Sequence, residues 1–151
     1  MKPNIKKIIA REGLVIVLGC LILTTQGFAE DSIERFKEQL PSMTKYQLDY
    51  KLNLFQMGYD TNPDNYYLRG AILLIQNQLL IHKQYTQQIR GLIQAGSIEG
   101  SVGADGAVFI TLPNSDTGKK MQLSCDEWTT ADLQTFVHKV MSIKDTKGEM
   151  R

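Results

Sequence analysis

Residues 63–95 read PDNYYLRGAILLIQNQLLIHKQYTQQIRGLIQA, and the fold follows from how this stretch is read. Leu68, Ile72, Ile75, Leu79, His82, Ile89 and Ile93 recur at alternating steps of three and four, with Thr86 interrupting the series. That period puts them on one face of a helix, not on a strand. Asn62-Pro63 offers a start, because a first-turn proline gives up an N–H that has no helical partner; Gly96 offers a stop. Gln76, Asn77 and Gln78 break the apolar run from Ala71 to Ile81, so the segment is not a membrane span. At 1.5 Å per residue the helix would be about 48 Å long.

Working upstream, Thr44-Lys45-Tyr46-Gln47 has the form of a capping box and opens a helix that Gly58 would end. Two apolar stripes run along it: Leu48, Leu52 and Phe55 on one, and Tyr46, Tyr50, Leu54 and Met57 on the other. A shorter helix, 31–40, precedes it and stops at Pro41. The central helix is about twice the length of its neighbour, so a plain hairpin would leave Ile89, Leu92 and Ile93 uncovered. Those three become candidate protein-contact residues. Tyr59, Tyr66 and Tyr67 cluster at the interhelical turn and are further candidates, either closing the hairpin end or meeting a partner.

Downstream the pattern changes. Gly100, Gly103 and Gly106 break up 97–106, and Asp105-Gly106 signals a turn. Ala107–Leu112 and Met121–Cys125 alternate as strands, with Cys125 on the same face as Met121 and Leu123. Thr129 caps a final helix carrying Leu133, Phe136, Val137 and Val140 on one stripe, with Trp128 and Leu133 placed as a hydrophobic staple. The fold class is therefore α+β, mainly helical: a helical hairpin with one long helix, followed by a small β-β-α unit. The divisions fall at 1–29, 30–96, 97–143 and 144–151, the last expected to fray.

The N-terminal segment is an address. Lys2, Lys6, Lys7 and Arg11 precede the apolar run LVIVLGCLIL (14–23), and small residues at Gly27 and Ala29 precede the first acids. This is the three-part pattern of a secretory signal cleaved after Ala29. An uncleaved anchor over residues 8–28 competes with it, as does lipidation at Cys20 in Val17-Leu18-Gly19-Cys20. The stretch KKIIAREGLVIV (6–17) resembles the anchors of small uncharacterised bacterial membrane or exported proteins, which implies membrane attachment and no activity. Each version places the following domain on the extracytoplasmic side, periplasmic, secreted, or tethered to the inner membrane.

Chemistry-bearing residues are sparse. The 151 residues carry 17 Lys+Arg against 16 Asp+Glu, which argues against a nucleic-acid partner. Removing 1–29 leaves 13 basic against 15 acidic groups and a single thiol, Cys125. Cys125 with His138 is the one nucleophile pairing worth testing, but periodicity turns the cysteine inward and the histidine outward. His82 sits on the central apolar stripe with no second ligand one turn away, so no metal is expected. Gly100–Gly106 leads into a strand and not a helix, unlike a phosphate-cradling loop. The expectation is a non-enzymatic envelope interaction or assembly protein with a protein partner or a second copy, and no cofactor. The alternative is a thiol-dependent enzyme or redox protein using Cys125.

Overall fold

The structure is a computed structural model that describes residues 26–149, with side chains from 32 to 148. The leader, anchor and lipidation readings fall almost wholly on residues outside that range. The chain divides after Lys37 into two units. The described part of the first is the body of helix α1 (Gln26–Gln39). The second begins with a 3-10 turn at Leu40–Ser42 and holds helices α2 (Lys45–Thr61) and α3 (Tyr66–Gln94). Three antiparallel strands follow, β1 (Gly100–Val102), β2 (Val108–Pro113) and β3 (Lys120–Ser124), paired in that order. A second 3-10 turn, Cys125–Glu127, leads into α4 (Thr130–Glu149). The fold is mainly helical α+β.

Local chemistry accounts for the helix ends. The Thr44 hydroxyl accepts from the Gln47 N–H at 3.3 Å, and the Gln47 side chain accepts from the Thr44 N–H at 2.9 Å, so the capping box is complete. Helix α2 does not stop at Gly58: it continues to Thr61, and the Asn62 N–H donates to the Gly58 carbonyl at 3.0 Å. A Cβ at residue 58 would stand 3.2 Å from Leu68 Cδ1, so that glycine serves the helix crossing instead. Helix α3 starts three residues later than Pro63, because the Asn65 side chain accepts from the Leu68 N–H at 3.1 Å and caps it. At its far end Gly96 turns to φ +71, the Ser97 N–H reaches the Leu92 carbonyl at 2.9 Å and the Gly96 N–H reaches Ile93 at 3.0 Å. That paired arrangement closes the helix as a Schellman motif.

The glycine-broken stretch is not a loop. Its first residues form β1, and Gly103 to Ala107 closes a hairpin onto β2, with the Gly103 N–H donating to the Ala107 carbonyl at 2.7 Å and Gly106 at φ +86. Two further readings change. Cys125 opens the second 3-10 turn and is not a β3 residue, and Met121, expected on a core face with it, is 40% exposed. The segment expected to fray from Lys144 instead extends α4 to Glu149.

The expected shortage of cover is where the structure departs furthest from the sequence reading. Ile89 is fully buried in one cluster with Val108, Ile110, Cys125, Leu133 and Val137. Ile93 packs against that cluster and Leu92 is 8% exposed. The distal half of α3 is sheltered by the sheet and α4 of the same chain: Ile89 and Leu92 are withdrawn from solvent and Ile93 is half-buried, contrary to the expected shortage of cover.

Helices α2 and α4 begin in the same way. Each follows a three-residue 3-10 turn whose first residue, Leu40 or Cys125, is buried. Each is capped by a threonine, Thr44 or Thr129, and each has a fully buried leucine four residues on, Leu48 or Leu133. The two capping threonines pair in an antiparallel bridge, and each 3-10 turn packs on the other helix. Next to that junction His82, 1% exposed, donates from Nε2 to the Trp128 carbonyl at 3.0 Å. This crossing of two matched helix starts ties the β-β-α unit to the hairpin.

Candidate protein-contact surface

The packing of α2 against α3 decides which of its two stripes faces inward. Leu48, Leu52 and Phe55 are buried or half-buried, which turns the other stripe to solvent. Tyr46 is 58% exposed, Tyr50 66%, Leu54 46% and Met57 67%. On α3, Tyr66, Leu73 and Leu80 recur every seven residues on the side opposite Ile75, and all three are exposed. Solvated helix faces ordinarily carry charge; the α2 stripe carries none, while on α3 the exposed Arg69 and Lys83 alternate with the apolar positions. Single exposed apolar residues need no explanation, whereas contiguous stripes of them mark binding surfaces.

The tyrosines at the hairpin end separate in role. Tyr66 is fully presented, while Tyr59 and Tyr67 are half-buried and help close the turn, and burial pushes the Tyr67 phenol above its ordinary pKa. The α2 stripe was readable from the sequence. Helix length is a poor guide to exposure here: helix α3 is long but its excess is covered, whereas the shorter α2 leaves its Tyr46–Met57 stripe bare.

Beside this surface, Lys45, Asp49, Gln76, Leu80, Lys83 and Asp126 border an open groove of about 390 Å³ between α2 and α3. Lys45 Nζ donates to Asp49 Oδ2 at 2.7 Å, and that hydrogen bond holds the ammonium above its usual pKa, against some desolvation and with help from the Asp126 charge. Both side chains are about 40% exposed, so the pair contributes at most about 1 kcal/mol. Charges of both signs line the groove, and His82 and Thr86 border it as well. Among the described residues no three His, Cys, Asp or Glu side chains gather as a metal site.

Cys125 is 1% exposed, and burial, aided by the neighbouring Asp126 charge, pushes its thiol pKa up to about 12. A nucleophilic cysteine needs the opposite environment. His138 lies on the exposed side of α4 with its ring edge-on to Tyr85 at 6.5 Å, and the structure does not bring it together with the thiol. A thiol reagent should therefore modify Cys125 at the unfolding rate only; fast labelling of the native chain mapped to Cys125, and not to Cys20, would contradict this placement. Because the folded pKa lies above the ordinary value near 8.5, the protonated native thiol costs stability as pH rises from about 9 toward 12 and has no effect below that window.

No family model matches the chain, and neither the curated proteins nor the solved structures contain a match. Among the described residues no helix is long and apolar enough to cross a membrane.

Proposed function

We propose that this is a non-enzymatic interaction or assembly protein of the bacterial cell envelope, which pairs with a second copy of itself through the outer face of its helical hairpin. The N-terminal basic and apolar segment would deliver the domain to the extracytoplasmic side, cleaved or tethered. One observation carries the reading: Tyr46, Tyr50, Leu54 and Met57 on α2 and Tyr66, Leu73 and Leu80 on α3 stand out from a hairpin whose inner face is already filled.

A second copy offers the complementary occupant, an identical apolar stripe. On α2 alone, Tyr46, Tyr50, Leu54 and Met57, each about half to two-thirds exposed, present on the order of 400–500 Å². That is about half of what one partner contributes to an interface of standard size, enough for its apolar centre. The four α2 positions are uncharged, so a twofold pairing of that stripe brings no like charges together at its centre. The thiol-enzyme alternative has no support in the placement of Cys125.

Light scattering on the full chain tests the reading. The wild-type chain should reach twice the monomer mass in the micromolar range, and the Tyr50→Glu/Met57→Glu double variant should remain monomeric with an unchanged circular-dichroism spectrum. Both positions are exposed, so the fold tolerates the charges. A wild-type chain still monomeric at 100 times that concentration, or a double variant that associates equally well, would remove the proposal.

A further inference from the structure

The core of the β-β-α unit opens to solvent on one side. An open groove of about 480 Å³ runs between the sheet and the last turns of α4. Its floor is Ile110, which is fully buried, and its inner walls are Ile98, Leu112 and Phe136, which pack on the core yet remain half-exposed. Val140 and Ile143 extend the apolar lining outward. Phe136, Val140, Ile143 and Lys147 follow steps of three and four, so the groove tracks one face of the helix for about 16 Å.

Charge is distributed unevenly along this length. The inner end is apolar, while Lys144 and Lys147 stand at the outer end. The one acid on the rim, Glu99, is engaged by Lys120 Nζ at 2.7 Å. Among the described residues neither Lys144 nor Lys147 has an ion-pair partner, and Asp145 lies about 100° around the helix from Lys144. An apolar trough of ordinary ligand volume that ends in two ammonium groups with no ion pair among the described residues complements one kind of small molecule.

We infer that the groove binds a single-chain anionic amphiphile, a long-chain carboxylate, with its tail along Ile98, Leu112 and Phe136 and its head between Lys144 and Lys147. The tail supplies most of the affinity by leaving water, and the lysines select the sign of the head, since exposed ion pairs are individually weak. This site lies on strands and helix α4, apart from the hairpin face proposed for self-association, and does not depend on it.

The test uses the full chain and a dodecanoate carrying a diazirine on its tail, with the matching dodecanol as control. Labelling should map to Phe136–Lys147 and to the strand residues of the groove, and unlabelled dodecanoate should displace it. Lys144→Gln/Lys147→Gln should require about fivefold more dodecanoate for the same occupancy and leave dodecanol labelling unchanged. Ile143→Glu, on an exposed position, should reduce labelling at least tenfold. Continued protection of Cys125 from thiol reagents shows that each variant is folded. Equal labelling by the acid and the alcohol, insensitivity to Ile143→Glu, or label elsewhere would overturn the inference. So would displacement by vesicles containing phosphatidylglycerol but not by dodecanoate, which would assign the two lysines to a membrane surface.

Discussion

Ile89→Ala should lower the unfolding free energy of the full chain by about 2–5 kcal/mol, among the largest losses available to a single truncation here. Ile89 is fully buried and is the contribution of α3 to the cluster formed by Val108 and Ile110 of β2, Leu133 and Val137 of α4, and Cys125. Removing three carbons forfeits their burial and leaves a cavity bounded by β2, α4 and the 3-10 turn at Cys125, none of which can close it without disturbing its own packing. The control is on the same helix. Leu80 is 53% exposed, and Leu80→Ala should stay within about 0.5 kcal/mol. Denaturant unfolding of both variants reads the contrast directly. Similar, small losses would mean that the distal half of α3 is not enclosed.

The same contrast shows what was legible in the sequence. Periodicity located all the long elements, because helix α3 and strand β2 each repeat their own geometry in their own residues. The Thr44–Gln47 box and the Thr129 cap were equally readable, since each is complete within four residues. Contacts made across the chain were not. Nothing near Ile89 announces that Val108 and Leu133 will cover it, and nothing in either cap announces the bridge between Thr44 and Thr129. The candidate surface was half legible for the same reason. The sequence shows two apolar stripes on α2, but which one becomes core depends on where the partner elements settle.

Gly100 is the other position where a small change should have a large effect. In β1 it pairs with Ile110, and a Cβ there would stand 2.4 Å from the Phe109 carbonyl oxygen and 2.6 Å from Ile93 Cδ1. The backbone carbonyl has no room to retreat, and the Ile93 side chain would have to turn away. The Phe109 carbonyl belongs to the middle strand of the sheet, and Ile93 is held by the last turn of α3 just before the Schellman closure. Gly100→Ala should therefore cost about 3 kcal/mol, at the upper end of what overpacking does, by forcing β1 off either β2 or the helix. Gly91→Ala makes the chemically identical change in the exposed interior of α3, where an added Cβ meets nothing within 4 Å. There it should add about 1 kcal/mol through helix propensity. Opposite signs for one substitution, measured by denaturant unfolding, identify the glycine in the broken-looking stretch as the contact that lets the long helix lie against the sheet. A tolerated alanine at residue 100 would show that β1 and α3 do not meet there.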